Sequence, residues 1–129
     1  MKIRKHSYPD ETYQIGIDFD GVIHKNSKGF YDGTVYDDPI VGVRESLKEI
    51  SENYDIIVYS AKARKDRMPI NEKTGKELIE EWLVEQDLMK YVKEVTSEKP
   101  RAVCYIDDKG VEFKDWDSCM NNLRGKGIL

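Results

Sequence analysis

The sequence predicts an α/β fold built on a mainly parallel sheet with helices on both faces. Three short, β-rich apolar runs alternate with segments of helical periodicity, a pattern typical of βαβ units. The chain has 129 residues, of which 39% are hydrophobic and 36% charged, so it is long enough to bury a core. No repeat or linker divides it, and we predict a single domain over residues 1–129.

The first half of the chain contains two predicted strands and a helix. Tyr13–Phe19 (YQIGIDF) and Asp55–Ser60 (DIIVYS) have the composition of buried strands. Residues 24–38 are rich in Gly, Asn, Ser, Lys and Asp and predict a loop or hairpin. The pair Asp38-Pro39 predicts an N-cap and first turn, and the apolar spacing after it predicts an amphipathic helix that ends near residue 53.

The second half begins with a polar loop over residues 62–73. Thr74 and Glu77 have the spacing of a capping box at the start of a helix. Ala102–Asp107 (AVCYID) is the third confident strand. Three shorter elements complete the prediction: a strand or turn at Tyr91–Val95, a short strand at Val111–Phe113 and a helix at Asp115–Leu123.

Composition excludes several classes of protein. The net charge of −4 argues against a non-specific DNA-binding protein. No apolar run is long enough to span a membrane, and no secretory signal follows the charged N-terminal residues. Two cysteines, Cys104 and Cys119, without such a signal predict free thiols in a reducing compartment, the cytoplasm.

Polar side chains end each of the three predicted strands. Because ligands of parallel sheets bind at the carboxyl ends of the strands, these groups are expected at one edge. Carboxylates that cluster in this way favour a hard divalent cation such as Mg²⁺, and a lysine just before the third strand can reach the same edge. The groups are Asp18, Asp20, Ser60, Asp107 and Asp108, with Lys99 as the cation.

These residues lie in four segments that resemble the motifs of the haloacid dehalogenase-like superfamily. IGIDFDGVI is similar to the first motif and IIVYS to the second. The lysine of EKP is similar to the third motif, and CYIDD resembles the fourth in its paired-Asp form. The resemblance spans residues 15–108, and it implies a three-layer, Rossmann-like fold and phosphoryl transfer through an aspartyl-phosphate.

The resemblance also implies a role for each residue of the first two motifs. Asp18 would attack phosphorus and bind Mg²⁺. Asp20 would act as general acid and then general base, with its backbone carbonyl on the metal. Gly21, in the substrate-binding part of the first motif, would permit the tight turn, and Ser60 would hydrogen-bond the phosphoryl oxygens.

The third and fourth motifs supply the remaining groups. Lys99 would neutralise the charge on Asp18 and the phosphoryl group, and Asp107 and Asp108 would hold Mg²⁺ directly or through water. Which of those two aspartates is the direct ligand stays open.

The chain has little room for a cap domain, since the segments after the first two motifs hold only a short flap and one helix. The chain is similar in this respect to the capless phosphatase domains of polynucleotide kinase-phosphatases. An open site predicts a large substrate, such as a nucleic-acid end or a phosphoprotein, or cover from another subunit of a homo-oligomer. The substrate classes we favour are a nucleotide and a nucleic-acid end. In the flap, Phe30 and Tyr31 either contact a base or, as we favour, pack within the flap.

The loop that follows Ser60 is cationic. We predict that Lys62 and Arg64 bind the substrate phosphate, Arg64 bidentately, although a solvated surface loop is an equal alternative. His24 follows the first strand, where it would either face the site or, as we favour, lie at the surface. The sequence as a whole predicts a Mg²⁺-dependent phosphatase. The alternative is a non-catalytic regulatory module of the same fold that binds a metal or a phospholigand.

Overall fold

A computed structural model of the chain describes residues 13–107 and 111–129. Five strands and three α-helices make up this part, with short 3₁₀ turns at Ala61–Ala63 and Met89–Tyr91. The elements are β1 (Gln14–Asp18), α1 (Val43–Ser51), β2 (Asp55–Tyr59), α2 (Gly75–Glu85), β3 (Glu94–Thr96), β4 (Cys104–Asp107), β5 (Val111–Glu112) and α3 (Trp116–Gly125).

The strands form one parallel sheet in the order β3-β2-β1-β4, with the two-residue β5 beside β4. This order is Rossmann-like, with β1 at the centre. The register pairs Asp18 with Tyr59 and Ile17 with Ile106, so Asp18 lies between Tyr59 and Asp107. The predicted α/β fold with a parallel sheet is confirmed.

One face of the sheet carries the hydrophobic core. Paired residues of parallel strands share a face, and Ile15 and Ile17 of β1 share theirs with Ile56, Val58 and Ile106. These five side chains belong to one buried cluster with residues from all three helices. All three helices therefore pack on this face.

The opposite face carries no helix within the described residues. Ile57 on that face is buried but lies outside the core cluster, and the ring of Tyr105 lies over Gly16. The described residues therefore do not meet the prediction of helices on both faces. Right-handed crossovers that step in one direction, as from β1 to β2 to β3, place α1 and α2 on the same side. The link from β3 to β4 at residues 97–103 has no helix that could cover the other side.

The predicted helix starts are confirmed in α2 and wrong in α1. Thr74 and Glu77 form the expected reciprocal capping box of α2. Helix α1 begins at Val43 instead of directly after Asp38-Pro39, and its N-cap is Gly42 at φ 91°. The reason is tertiary, because Pro39 forms a bridge with His24 and is drawn into the loop closure.

The loop between β1 and α1 forms a flap, defined here as residues 25–37. Its ends meet where the Lys25 N–H donates to the Asp38 carbonyl at 2.9 Å. Trp82 of α2 donates its indole N–H to the Asp37 carbonyl at 2.9 Å and thereby ties the flap to the helices. Among the described residues, no helix has the length and apolar character needed to cross a membrane.

Candidate functional site

The site is built where β1, β2 and β4 end. Asp18 is the last residue of β1 and Asp107 the last of β4, while Ser60 follows β2 directly. Asp20 lies in the turn after β1, where Gly21 takes a φ of 84° that a residue with a side chain rarely adopts. The sheet thus brings these predicted residues to one edge.

Among the described residues, Asp20 has three side-chain partners. Its Oδ1 lies 2.9 Å from Nδ1 of His24 and 3.1 Å from the Lys62 ammonium. Its Oδ2 accepts from the Ser60 hydroxyl at 3.4 Å. We call these four residues the Asp20 cluster. Both oxygens of the Asp20 carboxylate therefore have partners within the cluster.

The cluster holds Asp20 as a carboxylate. Burial acts to raise the pKa of Asp20, but the hydrogen bond to His24 and the positive charge of Lys62 outweigh it. The pKa is therefore below its ordinary value of 3.8. In this arrangement the carboxylate is ready to accept a proton rather than to donate one.

His24 was expected at the surface, and the structure shows this to be wrong. The imidazole is 0% exposed and lies among Phe19, Tyr36 and Trp82. Two apolar residues, Val22 and Ile23, come directly before it, which is the one sequence signal of a buried position. Its contact with Asp20 could only be found from the turn that brings residue 24 back beside residue 20.

Lys62, predicted to bind the substrate phosphate, is buried in the structure, and its contact with a substrate stays a prediction. The residue is 3% exposed, and its ammonium donates to Asp20 and to the Thr34 carbonyl of the flap, each at 3.1 Å. The backbone around it is tightly packed, because a Cβ on Gly75 would lie 1.6 Å from the Lys62 carbonyl oxygen. Lys62 therefore belongs to the Asp20 cluster rather than to the surface of the loop.

Asp107 is held by a second set of groups. Lys99 places its ammonium 3.0 Å from Asp107 Oδ2 and 4.3 Å from the centre of the Tyr105 ring. The Tyr59 hydroxyl donates to the same carboxylate oxygen. Burial, with the hydrogen bond to Asp107 and the negative charges of Asp107 and Asp18, raises the pKa of Tyr59. Sequence reasoning missed Tyr59, whose position follows from its register with Asp18.

Asp18 and Asp107 offer adjacent hard oxygen ligands, the donor type that Mg²⁺ prefers. Within residues 13–107 and 111–129, no group of three or more acidic, His or Cys side chains is arranged as a metal site. Asp108, the remaining predicted ligand, lies outside the described residues. The donor chemistry fits the metal, and the complete ligand set stays a prediction.

A cleft of about 490 Å³ separates the flap from the loop after Ser60. Phe30, Lys62, Arg64 and Met68 line it, and the ion pair of Lys62 with Asp20 links the cleft to the Asp20 cluster. Arg64 pairs with Asp66 at 2.6 Å and is more than half exposed. Arg67 places its guanidinium 4.7 Å from the centre of the Phe30 ring. The cleft is thus an open, mixed aromatic and charged surface next to the predicted chemical site.

Comparisons of the chain with protein-family models, curated proteins and solved structures found no match.

Proposed function

We propose that this chain is a phosphomonoester hydrolase of the haloacid dehalogenase-like type, with Asp18 as the nucleophile. The observation that supports this most is the composition of one sheet edge. Asp18 lies beside Asp107 there, while the carboxylate of Asp20, two residues further on, lies 3.4 Å from the Ser60 hydroxyl. A nucleophile, an acid–base group and hydrogen-bond donors are the parts that displacement at phosphorus requires.

In the first step, a carboxylate oxygen of Asp18 forms a bond to phosphorus and the bond from phosphorus to the ester oxygen breaks. The electron pair of the broken bond goes to the leaving oxygen, which takes a proton from Asp20. The approaching phosphoryl group aids protonation of Asp20, because a nearby negative charge raises a carboxyl pKa. The products are the free alcohol and an aspartyl-phosphate.

In the second step, a water molecule attacks phosphorus and gives its proton to Asp20. The bond between phosphorus and the Asp18 oxygen breaks, which releases inorganic phosphate and restores the Asp18 carboxylate. Asp20 is then protonated for the next cycle. Lys99 and Ser60 supply positive charge and a hydroxyl donor for the phosphoryl oxygens.

Mg²⁺ is part of this proposal. The carboxylates of Asp18, Asp107 and Asp108, with the backbone carbonyl of Asp20, are the groups that would hold it. When bound, the ion would offset the negative charge of the phosphoryl group and the carboxylates. We expect turnover to be lost in EDTA and restored by added Mg²⁺.

We propose a nucleotide or a nucleic-acid end as the substrate. The cleft beside Lys62 supports this choice, since its Phe30 ring and Arg67 guanidinium offer flat surfaces of the kind on which bases stack. Arg64 and Lys65 add positively charged, exposed side chains in the loop after Ser60. An open cleft also suits a substrate longer than a small sugar phosphate.

One observation favours the alternative of a non-catalytic module that binds a metal or phospholigand. The lowered pKa of Asp20 and its ion pair with Lys62 make Asp20 a weak general acid in the absence of substrate. Turnover separates the two functions, because a binding module would retain the ligand without releasing phosphate.

We also infer a reducing, cytoplasmic setting. Cys104 and Cys119 are both buried free thiols. Burial raises the pKa of Cys104 and raises that of Cys119 to about 12, so neither thiol has the reactivity of a nucleophilic cysteine.

The test is a phosphate-release screen with Mg²⁺ over mononucleotides, sugar phosphates, a phosphopeptide and oligonucleotides phosphorylated at either end. Asp18→Asn keeps the side-chain shape and removes the nucleophile. We expect a fall in kcat of about 10³-fold or more with an unchanged melting temperature.

Asp117→Asn is the matched control, because Asp117 is an exposed aspartate in the first turn of α3. It should keep full activity. Full activity of Asp18→Asn would contradict the mechanism. Mg²⁺ binding without phosphate release from any substrate would favour the binding module instead.

A further inference from the structure

His24 joins the predicted acid–base residue to the flap. Its Nδ1 lies 2.9 Å from Asp20 Oδ1, and its Nε2 accepts a hydrogen bond from the backbone N–H of Asp37 at 2.9 Å. The imidazole is 0% exposed. Each ring nitrogen therefore has one protein partner, on opposite sides of the ring.

These partners determine where the ring proton lies. The backbone N–H of Asp37 can only donate, so Nε2 must present its lone pair. The single proton of a neutral ring is then on Nδ1, where it is donated to the Asp20 carboxylate. If the proton were on Nε2, that N–H would face the N–H of Asp37, so two donors would meet without an acceptor. Asp20 would then lose the hydrogen bond from Nδ1.

Aromatic neighbours hold the ring in that orientation. Phe19 stacks on it with a centroid distance of 5.4 Å and an interplanar angle of 7°. Tyr36 and Trp82 meet it edge to face, at 5.2 Å and 5.5 Å. A ring enclosed on these sides cannot flip without displacing buried side chains.

The flap is fixed through the same residue. Asp37 donates its N–H to His24 and accepts the Trp82 indole N–H on its carbonyl, so its peptide groups are held from two sides. Lys62 adds a parallel link, because its ammonium donates both to Asp20 and to the Thr34 carbonyl of the flap. The position of the flap and the orientation of the Asp20 carboxylate are thus set together.

We propose that His24 is a positioning residue for Asp20. As a neutral imidazole protonated on Nδ1, it aims the Asp20 carboxyl and couples that aim to the closed flap. The catalytic consequence rests on the proposed function, in which Asp20 exchanges the proton of the leaving group. His24 itself acts only through Asp20.

The ring proton can be observed directly by ¹⁵N NMR of the imidazoles. The chain has two histidines, so His6→Gln leaves His24 as the sole imidazole signal. We expect the neutral form protonated on Nδ1 at neutral pH. A neutral form protonated on Nε2, or an imidazolium, would overturn the inference whatever the activity.

Two substitutions of His24 test the roles of Nδ1 and Nε2 separately. Asparagine places its amide near the position of Nδ1 and keeps a donor for Asp20, whereas glutamine reaches the position of Nε2 and loses it. For adenosine 5′-monophosphate, an alkyl ester, we expect His24→Gln to lower kcat/KM about 30-fold or more and His24→Asn to lower it less than about 5-fold.

The identity of the leaving group gives a readout that a purely structural role would not move. The p-nitrophenolate of p-nitrophenyl phosphate leaves without a proton, so the kcat/KM of His24→Gln for that ester should fall less than about 5-fold. Trp82→Phe removes the indole hydrogen bond to the Asp37 carbonyl but keeps the contact between His24 and Asp20. It should leave the ratio of the two kcat/KM values unchanged.

The outcomes distinguish this inference from the proposed function. Equal losses in the Asn and Gln variants, or equal losses on both esters, would overturn the positioning role alone. The same holds if His24→Gln keeps full activity. A wild-type protein that carries the Nδ1 proton but hydrolyses neither ester would overturn the phosphatase proposal and the catalytic role of His24 with it.

Discussion

The Asp20 cluster and the exposed part of the loop after Ser60 adjoin each other and have opposite environments. Lys62 is 3% exposed and bonds to Asp20, whereas Arg64, two residues later, is an exposed side chain paired with Asp66. Both carry a positive charge at the predicted site. The first is fixed by buried partners, and the second stays accessible to solvent and to a ligand.

This difference shows how one short segment serves two requirements. Groups that exchange protons must keep a fixed orientation, which buried hydrogen bonds provide. Groups that meet a substrate of variable size gain from exposure and from mobile side chains. The boundary between the two lies at the end of the 3₁₀ turn Ala61–Ala63, since Lys62 and Ala63 are buried and residues 64–69 are exposed.

At Gly75, the first residue of α2, we expect a larger side chain to disturb the buried surroundings of Lys62. An added Cβ would lie 1.6 Å from the Lys62 carbonyl oxygen, a backbone atom that cannot move alone. We expect Gly75→Ala to lower the free energy of unfolding by about 3 kcal/mol or more and to displace Lys62. Urea unfolding measures the first effect and phosphate release the second.

Gly125, at the end of α3, is the matched control, because nothing lies within 4 Å of an added Cβ there. Gly125→Ala should raise the stability by about 0.5 kcal/mol, since alanine favours the helix. Equal stability of the two variants would contradict the close approach of α2 to Lys62.

Lys62→Met tests the buried ion pair itself. The methionine fills similar space but leaves the Asp20 carboxylate, 23% exposed, without its cation. We expect a loss of about 2 kcal/mol in the free energy of unfolding and a higher pKa of Asp20. Lys65→Met, an exposed position in the same loop, should change the stability by less than about 0.5 kcal/mol.

Urea unfolding of both variants decides between the two environments. Similar small losses would mean that Lys62 contributes no more than a surface lysine. The alkaline limb of the pH–rate profile should move to higher pH in Lys62→Met alone, because Asp20 must be protonated to act as the general acid and only that substitution removes a positive charge beside it.

The flap should weaken in acid through Asp37. Hydrogen bonds from the Ser27 hydroxyl and the Ser27 and Asp38 backbone N–H groups hold the pKa of Asp37 well below its ordinary value. A lowered pKa in the folded state adds stability that is complete above the ordinary value and is lost as the pH falls below it.

We therefore expect wild type to exceed Asp37→Asn in urea midpoint at pH 5 and to keep a smaller part of that advantage at about pH 2. A constant difference between the two proteins across this range would show that the ionised carboxylate does not hold the flap.

The sequence was informative wherever a local rule applies. The capping box of α2 follows from two residues three apart and is present. The helix predicted at Asp115–Leu123 is α3, which begins at Trp116. The strand ends that carry Asp18 and Asp107 follow from apolar runs that stop at polar residues. The start of α1 was predicted wrongly because Pro39, a good first-turn residue, is used instead to close the flap.

Sequence alone determined the parallel α/β fold and the residues that end its strands, because hydrophobic periodicity and chain order are local properties. Only the tertiary structure decided the environment of each polar group. His24 and Lys62 look like surface residues in the sequence, and both are buried against Asp20. A polar side chain can be buried when distant groups satisfy its hydrogen bonds, and those partners are brought together only by the folded chain.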